Sequence, residues 1–234
     1  MKHCICILFL TLLAVPSFAV ISEVQHATTT NRLLSFASTV TAGDWFVVAV
    51  IVDDTTDTPF VSPTTHDNCG NATYTSAVQV TDAGRGSNTW IFYGKVVTTS
   101  ASCTLTMFDT TPGSGMAAIG VEFTNIVGTS PLDKAVGASG SGTALNSGPT
   151  SATSQANELV FGVLTDGADT FTKGPSFTTS YTTTSILAQY KVVTSIGTYD
   201  SDGTKAVSSA WESAVATFKD VSPGAAPTMP PAIY

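Results

Sequence analysis

The chain has 234 residues, only 11% of them charged, and its formal net charge at pH 7 is −8. An acidic chain repels the phosphate backbone of nucleic acid and an anionic membrane surface, so we expect neither as a partner. Few charges, 19 glycines and abundant serine and threonine disfavour amphipathic surface helices and favour strands. The composition therefore predicts an all-β protein that is large enough to bury a sizeable core.

Residues 1–19 have the features of a secretory signal peptide. Lys2 gives a positive start, residues 5–15 form a short apolar run, and Ser17 and Ala19 place small residues where a signal peptidase reads them. A membrane anchor, the alternative, needs roughly twenty consecutive apolar residues, and Pro16 ends the run earlier. We therefore expect cleavage after Ala19 and a secreted, periplasmic or cell-surface chain without an integral membrane segment.

Runs of β-branched and aromatic residues, separated by Gly, Pro, Asn or Asp clusters, predict strands along the rest of the chain. The first run, residues 44–52, is continuously apolar, which is typical of a strand buried on both faces. Residues 137–148, rich in Gly and Ser, show no periodicity and are predicted to form a flexible connection. The other predicted strands are 74–80, 89–97, 104–109 and 116–124 before that connection, and 158–165, 177–181, 186–193 and 209–219 after it.

Three short blocks occur in the same order on both sides of this connection. Residues 44–47 correspond to 158–161, 95–98 to 191–194, and 123–125 to 218–220. Chance similarity between strands is one explanation, and an internal duplication is the other. A duplication would make each half supply about half of a single antiparallel β-sandwich, so that neither half folds alone.

Several segments follow one another in a characteristic order, namely GDWFVVAV, HDNCGNATYT, WIFYGKVVT, VEFTNIVGTSPLD, a Gly/Ser stretch, NELVFGV and AVATFK. In this order the chain resembles a family of secreted bacterial β-sandwich domains that occur in extracellular and cell-surface proteins and are mostly uncharacterised. The resemblance covers residues 24–220 and implies a jelly-roll-like or lectin-like sandwich. It implies no catalytic residues, because the matching segments are turn and core signatures.

Cys69 and Cys103 are the two cysteines that remain once the signal peptide is removed. An even number of cysteines in an oxidising compartment favours one disulfide over a metal site. The bond would tie the long loop of the first half to the start of the predicted strand 104–109.

No set of catalytic residues is predicted. His26 and His66 are the histidines of the mature chain, and neither lies in a hydrolase motif. Glycoside hydrolysis needs two carboxylates across a cleft, for which Glu122 and Glu212 are the candidates. The two do not align between the halves, and an outward position on a half-exposed strand explains each of them as well.

Three acidic turns offer oxygen ligands for a structural calcium ion, the one cofactor that the sequence suggests. They are residues 53–57, with Asp53, Asp54 and Asp57; residues 166–169; and residues 200–203, with Asp200 and Asp202. The spacing also fits ordinary acidic turns, which would leave the protein without a cofactor.

Trp45, Trp90 and Trp211 are candidates for a surface on which sugar rings stack. Each lies in or beside an apolar run, so burial in the core is the other interpretation.

The sequence thus predicts a signal peptide at 1–19, a jelly-roll-like β-sandwich at 20–221 and a Pro-rich tail or linker at 222–234. The expected function is a secreted, non-catalytic module that binds a polysaccharide or another surface ligand, or that forms surface structure. A glycoside hydrolase of lectin-like fold is one alternative. A subunit of an extracellular filament or matrix, joined through edge strands, is the other.

Overall fold

The computed structural model describes residues 20–60, 66–70, 73–108, 115–167 and 170–222. The predicted signal peptide and residues 223–234 of the predicted tail lie outside the described residues. Strands, turns and loops make up the described ranges, and no helix there is long and apolar enough to cross a membrane. The predicted all-β class is confirmed.

Thirteen strands run through the described ranges in antiparallel pairs. They are β1 (Ser22–Thr29), β2 (Leu33–Phe36), β3 (Trp45–Val52), β4 (Thr75–Asp82), β5 (Ser87–Lys95), β6 (Cys103–Thr106), β7 (Met116–Thr124), β8 (Leu132–Asn146), β9 (Asn157–Thr165), β10 (Phe171–Lys173), β11 (Thr179–Thr182), β12 (Ile186–Thr194) and β13 (Asp202–Lys219).

The segment 137–148 is the main difference from the sequence prediction, because most of it belongs to β8 and is not a flexible connection. Its glycines allow close packing, because a Cβ on Gly137 would clash with Val80 and one on Gly140 would lie 2.5 Å from the Trp211 ring. Pairing with β13 along nearly its whole length supplies the order that the local sequence lacks.

Two sheets form the sandwich. Sheet 1 has the strand order β1-β7-β3-β5-β4, and in sheet 2 the corresponding order is β8-β13-β9-β12-β11. The short strand β10 also pairs with β13, on the side opposite β8, because Gly203 and Thr204 each have a partner on both strands. The predicted antiparallel β-sandwich is therefore the observed architecture.

The core between the sheets takes one face of each. Val47, Ile119 and Phe123 from sheet 1 pack in one cluster with Phe161 and Phe218 from sheet 2. All five side chains are almost completely buried. Burying this much apolar surface is the main contribution to the stability of such a fold.

An outer core covers the other face of sheet 1. Leu34 and Phe36 of β2 and Leu105 of β6 pack there against Phe46 of β3 and Phe92 of β5. Since β3 is thus covered on both faces, its continuous apolar sequence is explained.

The two sheets repeat one pairing pattern. Trp45 of β3 pairs with Phe123, and Leu159 of β9 pairs with Phe218, as the sequence alignment of the halves requires. The pairing with β1 changes register beside Phe123, and the pairing with β8 changes register beside Phe218. The predicted correspondence of residues 95–98 with 191–194 is wrong by one residue. Lys95 pairs with Trp45, whereas Lys191 pairs with Val160 and not with Leu159, the residue that corresponds to Trp45.

Cys69 and Cys103 form a disulfide in the structure, with their Cα atoms 5.4 Å apart. Cys103 opens β6, and both residues belong to the outer core. The bond therefore fastens the loop before β4 to the layer that covers sheet 1, as the sequence predicts.

Candidate functional site

A surface groove of about 670 Å³ lies where β8, β10 and β13 run side by side. This volume falls within the range of roughly 300–1,000 Å³ that is usual for small-molecule sites. The lining residues are Ala144, Leu145, Asn146, Thr172, Lys173, Pro175, Asp202, Gly203 and Thr204.

Three short side chains form the floor of the groove. Thr204 of β13 pairs with Thr172 of β10 on one side and with Ala144 of β8 on the other. Directly opposed residues on neighbouring strands point to the same face of a sheet, and all three of these are exposed. Because the three side chains are small, they leave room above them.

The rim of the groove carries polar groups. Asp202 pairs with Asn146 across β13 and β8, and the Asn146 amide donates a hydrogen bond of 2.7 Å to Asp200. Lys173 pairs with Gly203, so its side chain points to the opposite face of the sheet, where the ammonium donates to the carbonyl of Phe177. The groove thus combines hydroxyl, amide and carboxylate groups on a rigid strand framework.

A second cluster joins the sheets at the edge formed by β1. The Tyr181 hydroxyl donates to both oxygens of Glu23, at 2.6 and 2.7 Å, and the Tyr190 hydroxyl donates to Oε2. The His26 ring stacks on Tyr181 with centroids 3.6 Å apart, and its Nδ1 lies 3.0 Å from Glu23. Burial and the Glu23 carboxylate raise the pKa of Tyr190 to about 12 and raise that of Tyr181 further. Both phenols therefore stay protonated and act as donors.

Glu212 is the centre of a third polar cluster, at the rim of the main core. It accepts hydrogen bonds from Ser87, from Thr165 at 2.8 Å and from Arg85 at 3.1 Å, and it is fully buried. Burial raises the pKa of Glu212, while Ser87, Arg85 and Thr165 oppose the shift. Arg85 also pairs with Asp53 at 2.8 Å, so this network links the β4–β5 turn to β13 and to the end of β3.

Glu122, the other candidate acid, lies on a different face. Its neighbours Val121 and Phe123 point into the main core, so Glu122 points to the outer side of sheet 1. There it accepts from Gln25 at 2.7 Å and from the backbone N–H of Thr41 at 3.0 Å. Since Glu212 faces inward, the two carboxylates do not flank a common cleft.

Glu158 is a further buried acid that the sequence does not single out. Its side chain is fully buried on β9, and within the described part of the chain neither carboxylate oxygen has a hydrogen-bond partner at normal distance. Burial raises the pKa of Glu158 to about 7, the nearby Thr217 hydroxyl opposes the shift, and the neighbouring Asp133 adds to it. An acid of this kind can carry a proton near neutral pH, but the Glu158 side chain is fully buried.

The three tryptophans are buried. Trp45, Trp90 and Trp211 are exposed by 8%, 1% and 9%, and each packs in one of the apolar clusters. All three tryptophans therefore follow the other interpretation of the sequence, burial in the core. These rings provide no exposed stacking surface.

Among the described residues, the acidic turns do not bring three carboxylate ligands close together, and residues 168–169 of the predicted turn 166–169 lie outside the described residues. Asp53 pairs with Arg85, Asp54 accepts from the N–H and hydroxyl of Thr56, and Asp200 accepts from Asn146. Of the residues that the structure describes, only Asp67, Cys69 and Cys103 bring three metal-ligand atoms close together, and both sulfurs belong to the disulfide. Neither Asp57 nor Asp202 joins such a group.

No family model, curated protein or solved structure matches this chain.

The sequence gives no direct signal for the groove. Its floor residues lie on three strands that are far apart in the chain, and β10 has only three residues. The predicted calcium ligand Asp202 is the one candidate residue that the structure places at its rim.

Proposed function

We propose that this chain is an exported, non-catalytic β-sandwich module of the secreted bacterial type, and that its groove binds a polar extracellular ligand of the oligosaccharide class. The observation that carries the proposal is the row Ala144, Thr204 and Thr172 with Asp202 and Asn146 at its rim. Hydroxyl, amide and carboxylate groups match the hydrogen-bonding pattern of sugar hydroxyls. A floor of short side chains leaves space for a ring of that size.

Rigid support strengthens this proposal. The floor residues lie on paired strands. The central one, β13, also pairs with β9, and β9 pairs in turn with β12. Binding groups held on strands lose less conformational freedom than groups on loops when a ligand is bound.

The disulfide agrees with export, because such bonds persist in oxidising compartments. The carboxylates considered for hydrolysis hold the fold together: Glu122 binds Gln25 and Thr41, and Glu212 binds Arg85, Ser87 and Thr165. A carboxylate with this many fixed partners is poorly placed to attack a substrate, which favours binding over glycoside hydrolysis.

The test fills the groove from its floor. Thr204→Trp places a large ring above β13, and Thr28→Trp makes the same change at an exposed position of β1 in the other sheet. Binding to a panel of immobilised oligosaccharides, followed by calorimetry on those that bind, should show at least tenfold weaker affinity for Thr204→Trp and unchanged affinity for Thr28→Trp. Equal affinity of both variants, or a panel without any binder, contradicts the proposal. Release of reducing sugar from a bound polysaccharide would favour the hydrolase.

A filament or matrix subunit is the second candidate, and one observation favours it. The 15-residue strand β8 pairs with β13 alone among the described strands, so its other edge can accept a strand. A concentration-dependent increase in mass on sedimentation would support this candidate, and a monomer at all concentrations would contradict it.

A further inference from the structure

Lys205 and Asp166 form a buried ion pair that neither the groove nor the other polar clusters use. The Lys205 side chain is completely buried on β13, and the Asp166 side chain, just after β9, is 9% exposed. The Lys205 Nζ contacts Asp166 Oδ2 and Ser209 Oγ, and it lies 3.2 Å from the carbonyl oxygen of Ala210.

The backbone fixes both partners. β13 leaves its register with β8 between Thr204 and Ser209, which brings Lys205 and Ser209 to the same carboxylate. Lys205 is also paired with Phe171 of β10, and the Asp166 N–H donates to the carbonyl of Ser185 at 3.1 Å. Reacting groups held in this way need little further ordering to reach each other.

Burial makes the charged form of the pair costly. Two charges removed from water lose hydration, which their mutual attraction only partly restores. Transfer of one proton from the ammonium to the carboxylate gives a neutral amine beside a neutral carboxylic acid, and this is the form in which the amine is a nucleophile.

We propose that Lys205 and Asp166 become joined by an intramolecular amide bond. The neutral Nζ attacks Cγ of the Asp166 carboxylic acid, an N–C bond forms, one C–O bond breaks, and the hydroxyl leaves with a proton from nitrogen as one molecule of water. No oxidant, reductant or other reactant is needed. The product carries no charge, so condensation removes both buried ions.

Ser209 is placed to move the proton. Its hydroxyl donates to Asp166 Oδ2 at 2.6 Å and contacts the Lys205 Nζ. The hydroxyl can accept a proton from nitrogen and pass one to the departing oxygen in the same step. The carbonyl of Ala210 accepts a hydrogen bond from Nζ and so helps to orient the amine.

The bond would tie the end of β9 to β13 in the second half of the sandwich, whereas the disulfide fastens the first half. Each half would then carry one covalent link. Such a link slows unfolding, because the two strands stay joined when their other contacts break.

Mass spectrometry of the purified full chain tests the proposal directly. The intact mass should be lower by one water molecule than that of the disulfide-bonded chain. Trypsin cleaves after Lys and Arg, so the digest should contain residues 135–173 linked to residues 192–219, without cleavage at the modified Lys205. Lys205→Arg should have the mass calculated for its own disulfide-bonded sequence, without loss of water. Ser209→Ala should form the bond more slowly.

Two results overturn the proposal. One is an intact mass without loss of water, together with free peptides 192–205 and 206–219. The other is a loss of water confined to peptide 135–173 that persists in Lys205→Arg, because Asp166 precedes Gly167 and such a pair can form a succinimide by itself. The peptide map of the natural chain decides the question even if Lys205→Arg does not fold.

Discussion

Arg85 donates a hydrogen bond to Glu212 across the sandwich, with Nη1 3.1 Å from Oε2. Arg85 belongs to the turn between β4 and β5 in sheet 1, and Glu212 belongs to β13 in sheet 2. Since the Glu212 side chain is fully buried and that of Arg85 is 15% exposed, this ion pair works largely out of water. It holds the two sheets in one relative position at the rim of the core.

Arg85→Met should destabilise the protein by about 2 to 4 kcal/mol, because it leaves the Glu212 carboxylate buried without its cation. Adding Glu212→Gln should recover part of this loss, since no buried charge is then left. Asp53→Asn is the matched control: the Asp53 side chain is 42% exposed, so its pair with Arg85 should contribute less than about 1 kcal/mol. Urea unfolding gives the free energy of unfolding of the natural chain, the two single variants and the double variant. An equal loss of stability in Arg85→Met and Asp53→Asn contradicts the buried ion pair between Arg85 and Glu212.

Glu158 should make the protein less stable as pH rises. Its pKa is raised from 4.5 to about 7 on folding, so between these values the folded state binds more protons than the unfolded state. Stability then falls with increasing pH in this window and is constant, for this group, on either side. The full loss is on the order of 3 kcal/mol.

Glu158→Gln should therefore remove this slope. Relative to the natural chain, the variant should gain stability as pH rises from 4.5 to 7. Asp133→Asn should reduce the slope without abolishing it, because it removes only the charge that adds to the effect of burial. Unfolding free energies measured by urea across this range provide the check, and parallel curves for Glu158→Gln and the natural chain would be inconsistent with a buried acid at this position.

The sequence predicts those strands whose apolar pattern is strong. The continuous apolar run of β3 and the aromatic strand β5 are found where expected, because their own side chains fill the two cores. The alignment of Phe123 with Phe218 also holds in the pairing register. Local patterns of this kind depend on burial of the same residues that carry them.

Elements that depend on distant partners could not be predicted. β8 contains Gly and Ser at positions where a strand normally has β-branched residues, and its extended form depends on β13. The groove depends in turn on β8, so its floor cannot be predicted without knowing that β8, β10 and β13 lie side by side. Lys205 gives no sequence signal either, because its partner lies 39 residues away.

Export should produce a chain that begins at Val20. The small residues Ser17 and Ala19 motivate this prediction. Ala19→Arg should block cleavage and Val20→Ala should not, because only the first change puts a large charged residue at the cleavage site. Mass spectrometry of the exported protein shows the outcome, and a product that retains Met1 would contradict the signal-peptide assignment.

Loss of the disulfide should destabilise the outer core. Cys69 and Cys103 are 34 residues apart in the chain and are buried against the same apolar cluster. On the chain-entropy model, closing a loop of this length stabilises a protein by about 3 to 4 kcal/mol, because the bond restricts the unfolded state. The double change Cys69→Ser and Cys103→Ser should lower the free energy of unfolding by this amount. Thiol titration of the denatured, unreduced mature chain should find no reactive thiol, whereas two thiols per chain, with unfolding unaffected by reductant, would show that the bond does not form.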